Sequence, residues 1–274
     1  MWNILIENSN LLLALLAAGA GAGIAAGMFG VGGGVIIVPA LYFTLSSLGY
    51  GETAMHVSVG TSLATIIATS VRSVMSHHSK GAVDWRILKE WAPCIMLGAL
   101  GGSFLASIIS GRALTIFFGS IALLLAAQLI FGRPTWRLSD DVPRGPVSWA
   151  ISTIIGICSS LMGIGGGVFG VTTLVLFGRP IHQAIGTSAG FGAAIGLPAA
   201  LGYAYSGGSV ENLPPYSMGY LSLPGFVLIA LMTTTLAPLG ARIAHGMNGG
   251  LLRRVFGVLL ILTALNMLRK VIFG

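Results

Sequence analysis

Two short glycine runs interrupt apolar stretches of the chain, and they are the residues best placed to bind a ligand through the backbone. Their members are Gly32, Gly33 and Gly34 in the first run and Gly165, Gly166 and Gly167 in the second. Glycine leaves the backbone unshielded and disfavours a continuous helix. Each run precedes a new apolar segment, whose helix N-terminus would carry a partial positive charge and unpaired N–H donors. Such an end is suited to binding an oxyanion. Close helix packing, which also selects small residues, is the alternative explanation.

A hydroxyl pair follows each glycine run. The first pair is Thr61 and Ser62, and the second is Thr187 and Ser188. Hydroxyl groups can donate hydrogen bonds to an oxyanion without adding a fixed charge, so they predict reversible binding of an anion. The alternative is that each hydroxyl bonds to a carbonyl of its own helix, as Ser and Thr often do.

A histidine lies shortly before each hydroxyl pair. His56 precedes the first pair and His182 precedes the second. These residues could relay a proton or hold a gate; a histidine that caps a helix near the membrane surface is the simpler interpretation. The five histidines form no H-x-x-x-H or H-E-x-x-H pattern, and no nucleophile–base set or cofactor motif is evident. We therefore predict no catalytic residue, no metal site and no cofactor.

The glycine and hydroxyl motifs belong to an internal repeat. The sequence Gly30–Val35 recurs as Gly163–Val168, the Gly-Thr-Ser motif recurs 126 residues later, and Gly102 matches Gly240. Landmarks that recur in the same order predict two copies of one unit. The predicted division is a first membrane repeat at 1–132, a linker at 133–146 and a second membrane repeat at 147–274.

The composition of the chain is that of a membrane protein. Of 274 residues only 14 are basic and 7 are acidic, and 55% are hydrophobic, whereas roughly 25% of residues are charged in soluble proteins. Uncharged runs such as 8–51 and 145–178 are long enough for spans of about 20 residues. Because the basic residues occupy short loops between apolar runs, we interpret them as determinants of topology and not as a nucleic-acid surface.

Each copy contains five apolar segments of helical length. We predict helices at 11–29, 34–47, 54–77, 87–109 and 113–131, and again at 147–163, 167–178, 182–204, 219–241 and 250–271. The fold class predicted is an all-α polytopic membrane protein. An odd number of segments per copy requires the two repeats to be inverted relative to each other.

The basic residues predict which side of the membrane each loop faces. If the N-terminus is outside, eleven of the fourteen basic residues are cytoplasmic, and only Arg112, Arg269 and Lys270 are outside. This distribution agrees with the positive-inside rule. We predict a multi-pass protein of the bacterial inner membrane with a cytoplasmic linker and both termini in the periplasm.

The glycine runs leave the depth of the neighbouring segments open. The segment 34–47 is short, and the chain before it is broken at Gly32, Gly33 and Gly34. Each broken pair of segments could cross the membrane fully or could meet near the midplane as a hairpin. Broken helices in transporters with inverted repeats surround a site at the midplane, so the glycine runs and hydroxyl pairs predict a shared central site.

The two glycine runs, each followed by Gly-Thr-Ser, resemble the TauE/SafE family of membrane transporters over nearly the whole chain. That resemblance implies export of sulfite, sulfonates or related organosulfur anions, by alternating access between the repeats. It also implies a small anion and the lipid bilayer as the partners of the chain, with no nucleic acid.

Three other functions remain as alternatives from the sequence. These are an anion importer or channel of the same fold, a membrane enzyme, and a membrane assembly subunit that transports nothing. The enzyme is disfavoured because the chain lacks a catalytic motif. No Asp or Glu lies deep in a predicted segment, which argues against a cation pump. An exported anion needs no coupling ion, since an inside-negative potential contributes about 2.3 kcal/mol per charge per 100 mV.

Overall fold

The computed structural model describes residues 9–29, 33–131, 137–245, 247 and 249–273. These residues form ten α-helices and one short β-ladder. The helices are α1 (Ser9–Phe29), α2 (Gly34–Ser47), α3 (Ala54–His78), α4 (Trp85–Ile108), α5 (Gly111–Phe131), α6 (Pro146–Met162), α7 (Gly167–Leu176), α8 (Ile181–Ser206), α9 (Leu223–His245) and α10 (Gly249–Phe273). The strands β1 (Ser217–Met218) and β2 (Leu221–Ser222) pair antiparallel.

The prediction of ten helical segments is confirmed, with each boundary within four residues of its predicted position. Within the described part of the chain, α3, α4, α5, α8 and α10 contain stretches long and apolar enough to cross a membrane. The all-α membrane class is therefore confirmed, and the β-ladder is a small addition to it.

Glycines in the left-handed conformation mark the breaks between short helices. Gly163 has φ 66° and ends α6, where its N–H donates to the Ser159 carbonyl. Gly33 has φ 76° and directly precedes α2. Residues with a Cβ rarely adopt these angles, so glycine is required at both positions.

The five main helix pairs are α1 with α9, α4 with α6, α3 with α8, α4 with α8, and α5 with α10. Glycine permits close approach in these pairs. A Cβ at Gly98 of α4 would clash with the Thr153 carbonyl of α6, and a Cβ at Gly156 of α6 would clash with the Ile95 carbonyl of α4. Many of the glycines therefore do serve helix packing, as the alternative explanation proposed.

Three loops lie together at one end of the bundle, which we call the Tyr220 end: 48–53, 109–110 and 207–222. The Thr53 hydroxyl donates to the Asn212 carbonyl at 3.2 Å. The ring of His56 stacks on the Tyr220 ring with 4.8 Å between centroids. Burial raises the pKa of the Tyr220 phenol above its usual value.

Three other loops lie at the opposite end, which we call the Lys80 end: 79–84, 137–145 and 177–180. The Leu138 N–H donates to the Leu176 carbonyl at 2.8 Å, which joins the linker to the end of α7. The Asp84 N–H donates to the Thr187 hydroxyl at 2.9 Å, which joins the loop before α4 to α8.

Two helical hairpins enter the bundle from opposite ends. The first hairpin, α1–α2, enters from the Tyr220 end. Its helix α1 runs inward beside α9, and its helix α2 returns and ends at the Tyr220 end. The second is α6–α7, which starts and finishes at the Lys80 end. The returning helices have 14 residues in α2 and 10 in α7. At 1.5 Å per residue they extend about 21 Å and about 15 Å, which is less than the roughly 30 Å of a bilayer core.

Candidate functional site

The two glycine-broken turns meet beside the middle of α3. A Cβ at Gly34 would clash with the carbonyl oxygen of Gly163, and it would lie only 3.1 Å from Cδ1 of Ile66. Ile66 is the central residue of α3, which extends from Ala54 to His78. The first residue of α2 and the turn before α7 are therefore in direct backbone contact, halfway along α3.

The second glycine run also lies against the middle of α8. A Cβ at Gly165 would lie 3.5 Å from the Cα of Gly192, and a Cβ at Gly166 would clash with the Cβ of Phe191 and lie 3.0 Å from the Ser188 carbonyl. The glycine run at 165–167 thus packs against the turn of α8 that contains Ser188.

The N-terminus of α7 presents backbone donors without partners. Its N-cap residue, Gly166, offers no side chain to accept a hydrogen bond, and the first paired amide is that of Gly170, which donates to the Gly166 carbonyl. Among the described residues, the amides of Gly167, Val168 and Phe169 have no acceptor. These three residues are half-buried, whereas Gly165 and Gly166 are buried.

The N-terminus of α2 also lacks a side-chain cap but is more deeply buried. The Gly33 carbonyl accepts from the amides of Ile36 and Ile37, at 2.9 and 2.8 Å. Within the described part of the chain the amides of Gly34 and Val35 have no acceptor, and both residues are buried. Gly32, the first residue of this predicted site, lies outside the described residues.

The two serines of the hydroxyl pairs differ in their hydrogen bonds. Both are completely buried. The Ser62 hydroxyl donates to the Gly163 carbonyl at 2.7 Å and so ties α3 to the second glycine turn. The Ser188 hydroxyl has no partner among the described residues, and a Cβ at Gly170 would lie 2.7 Å from it. An unpaired hydroxyl therefore faces the first turn of α7.

The two threonines, in contrast, make matching bonds. Thr61 accepts from the Ser222 N–H at 2.9 Å, and Thr187 accepts from the Asp84 N–H at 2.9 Å. Ser222 and Asp84 directly precede α9 and α4. Each threonine therefore fixes the start of a neighbouring helix, and its own hydroxyl proton remains free to donate.

The two histidines lie at opposite ends of the antiparallel pair α3 and α8. His56 is buried at the Tyr220 end, where its Nε2 donates to the carbonyls of Ala106 and Ile109 at 3.0 and 3.1 Å. It therefore caps the C-terminus of α4. His182 is exposed in the first turn of α8 at the Lys80 end. Neither histidine contacts the glycine turns in the described structure.

One buried donor near this region was not singled out from the sequence. The indole of Trp91 is fully buried, its Nε1 has no acceptor among the described residues, and its ring stacks on Phe191 at 5.7 Å and 10°. The repeat provided a signal, because the matching residue at an offset of 138 is Ile229. A buried Trp N–H usually finds a partner, so a donor present in one copy only is noteworthy.

The described residues bring no three His, Cys, Asp or Glu side chains together. The polar groups that do converge are backbone amides and hydroxyls. Such groups can bind an anion through neutral donors and the helix dipole.

Comparison with known proteins identifies the family. The family model "Sulfite exporter TauE/SafE" matches residues 15–267. A probable membrane transporter protein of Haemophilus influenzae is 34% identical over 265 residues, which are 94% of this chain and 98% of the relative. Probable membrane transporter proteins of Xylella fastidiosa and Methanocaldococcus jannaschii are 28% and 24% identical, and each alignment covers at least 93% of this chain and 94% of the relative. No solved structure gives a significant match to the chain.

These relatives agree with the fold and with the residues that carried the resemblance. The family match covers both glycine runs and both hydroxyl pairs. The described helices are long and apolar enough for a multi-pass membrane protein. The chain therefore belongs to the TauE/SafE family of membrane transporters.

Proposed function

We propose that this protein exports a small oxyanion, such as sulfite, a sulfonate or a related organosulfur anion, and has no enzymatic role. The observation that carries the proposal is the contact between the two glycine turns beside the midpoint of α3. Unpaired amides at the start of α7 and the unpaired Ser188 hydroxyl lie in the same region. A polar backbone break at this depth is tolerated in a membrane where protein, water or ligand satisfies it.

The substrate site consists of the α7 N-terminus with Gly165, Gly166 and Gly167, the Ser188 hydroxyl, and the facing turn at Gly33 and Gly34. Thr61, Ser62 and Thr187 complete it as groups that hold the surrounding helices in place and line the site. His56 and His182 lie away from it, at the two ends of the helix pair, as candidates for a gate or proton relay; His56 also caps α4.

Alternating access between two inverted repeats, 1–132 and 147–274, provides the transport step. Three features support the inversion. The hairpins α1–α2 and α6–α7 enter from opposite ends, α1 runs along α9 as α6 runs along α4, and Thr61 and Thr187 accept equivalent bonds. Rocking of one repeat against the other would open the shared turn to either side in succession.

The Lys80 end is the cytoplasmic side in this proposal, with the linker 133–146 on that side and both termini in the periplasm of an inner membrane. The described loops and helix ends there carry most of the basic residues, among them Lys80, Arg137 and Arg179. At the Tyr220 end the basic residues include Arg112 and Lys270, whose Nζ lies 5.6 Å from the centroid of Tyr42. The asymmetry follows the positive-inside rule.

Two serine variants test the site. Ser188→Ala removes a hydroxyl that has no partner in the described protein, so the melting temperature should stay unchanged. Its affinity for the exported anion should fall by about tenfold or more, because a hydrogen bond to a charged group contributes ~1.5–3 kcal/mol. Ser62→Ala is the matched control, because it removes the 2.7 Å bond to Gly163; we expect a lower melting temperature.

The measurement is flux and binding in proteoliposomes with sulfite, sulfoacetate, taurine and sulfate as the substrate panel. Saturable flux of at least one of these anions, weakened by Ser188→Ala, is the expected result. If no anion is transported by the folded protein, the function is wrong. If an anion is transported and Ser188→Ala leaves its affinity unchanged, the function stands and the location of the site is wrong.

A further inference from the structure

An apolar groove of about 610 Å³ lies on the outside of the bundle, away from the glycine turns. Its walls are α3, α8 and the start of α9, with the β-ladder at the Tyr220 end. Val71 and Leu201 face into it and are 45% and 61% exposed. The α3 wall extends from Ala64 to Met75, a length of about 17 Å at 1.5 Å per residue. The length of this wall alone is close to the ~15 Å of one leaflet of the bilayer core, and Ala204 and Met218 continue the groove towards the Tyr220 end.

One cation lies in this apolar wall. Arg72 lines the groove six residues before the end of α3, which is about 9 Å from the Lys80 end of that helix. It is exposed, and it makes no hydrogen bond or ion pair with any other described residue. A long arginine side chain can extend along apolar surface and place its guanidinium at the level of the headgroups.

We propose that this groove binds one anionic phospholipid from the leaflet at the Lys80 end. The acyl chain lies along Ala68, Val71, Leu201 and Phe226, and the phosphate pairs with the guanidinium of Arg72. The planar guanidinium matches two phosphate oxygens, and the apolar walls match the hydrocarbon chain. The site is independent of the proposed transport site, since it uses other residues on the outer face of the same helices.

The positions of the acidic residues favour a lipid over a second copy of the chain as the occupant. Glu90 is the one carboxylate within the described helices, and it accepts from Ser148 between α4 and α6. The other described acidic residues lie in loops or at the start of a helix. The apolar helix faces of a second copy would thus bring no carboxylate to Arg72 and would leave a charge unpaired in the contact.

The test compares phosphatidylglycerol with phosphatidylcholine of identical acyl chains, added to the purified full-length protein. We expect phosphatidylglycerol to bind more tightly and to raise the melting temperature more. In Arg72→Gln the apparent affinity for phosphatidylglycerol should fall about fivefold, which corresponds to ~1 kcal/mol for one basic residue facing anionic lipid. The preference for phosphatidylglycerol should then be lost.

Arg112→Gln is the matched control, since Arg112 is an exposed arginine at the opposite end of the bundle; its lipid preference should equal that of the unsubstituted protein. A second variant, Ala68→Trp, fills the groove and should reduce the number of lipids retained in native mass spectrometry. A phosphatidylglycerol preference that survives Arg72→Gln overturns the proposal. So does an Ala68→Trp protein that keeps its lipids but changes its oligomeric state.

Discussion

Thr61 and Thr187 connect each long central helix to the residue just before a neighbouring helix. Thr61 is fully buried, and the Ser222 amide that it accepts from is buried as well. A buried amide that loses its acceptor costs about 1–3 kcal/mol, because desolvation is no longer compensated. The threonine hydroxyls therefore stabilise the protein whether or not they also contact the anion.

We expect Thr61→Val to lower the free energy of unfolding by about 1–3 kcal/mol. The variant keeps the shape of the side chain and removes the acceptor for the Ser222 N–H. Thr187→Val should have a smaller effect, because the Asp84 amide is only partly buried and can exchange its partner for water. Thermal unfolding in detergent measures both values.

Thr61→Ser keeps the hydroxyl, so this variant should retain most of the stability that Thr61→Val loses. A Thr61→Val protein as stable as the unsubstituted one would show that the hydrogen bond from Ser222 contributes no net stability.

The sequence identified these hydroxyls because the repeat duplicates them, but it could not assign their partners. Ser62 bonds to a carbonyl 101 positions away, and such a contact depends on how α3 and the second glycine turn pack. The same reason explains why Ser188 and Ser62 looked equivalent in the sequence and differ in the structure. Trp91 belongs to no motif, and its one signal in the sequence is the mismatch with Ile229 in the other copy.

At the level of elements, the short helices α2 and α7 determine where the glycine turns lie. The sequence predicted both helices closely but left open whether each pair crosses fully or forms a hairpin. The depth of each glycine run is set by the helices it packs against. Gly34 lies beside Ile66 and Gly165 lies beside Gly192, and Ile66 and Gly192 are near the middle of long helices. This relation between distant segments is absent from local patterns of hydrophobicity.

A carboxylate placed at the α7 N-terminus should compete with the transported anion. Val168 is half-buried in the first turn of α7. We expect Val168→Asp to raise the Kd for the anion by about tenfold or more, since two like charges about 6 Å apart repel by ~3 kcal/mol at an effective dielectric constant of 20. The helix dipole should stabilise the folded variant slightly.

The neutral isostere Val168→Asn is the control, and isothermal binding of the anion at matched ionic strength is the measurement. Equal affinities in the two variants would indicate that the anion does not bind at this helix end, wherever else it is carried.

For the whole molecule, the loops separate into two ends that differ in charge. The Lys80 end includes the three arginines Arg137, Arg144 and Arg179, and Asp141 contacts two of them, Arg179 at 2.7 Å and Arg144 at 3.8 Å. Consecutive loops lie at opposite ends except around the α6–α7 hairpin, which starts and finishes at the Lys80 end. The proposed assignment of the Lys80 end to the cytoplasm rests on this difference in charge.

Labelling of single cysteines measures this orientation. With Cys94 and Cys158 replaced, a cysteine at position 211 should react with an impermeant thiol reagent added to intact cells, because Glu211 lies in the loop at the Tyr220 end. A cysteine at position 80 should react only after the membrane is opened. The reversed pattern would invert the proposed topology.

The glycine and hydroxyl motifs were enough to indicate the family, and the family match confirms that inference. The motifs could not specify the cargo, because backbone amides and hydroxyls bind any small oxyanion of suitable size. In the proposed site, neutral donors and helix dipoles take the place of a fixed cation.

The central claim, that a lone anion passes through this protein, is tested most directly by flux under an imposed membrane potential. In right-side-out vesicles loaded with a monovalent organosulfur anion, an inside-negative potential should accelerate its exit, because each outward charge gains about 2.3 kcal/mol per 100 mV. Among the described helices Glu90 is the one carboxylate, and it lies near the Lys80 end, so we expect no strict proton coupling. Exit that does not respond to the membrane potential and instead follows the pH gradient would contradict transport of a lone anion.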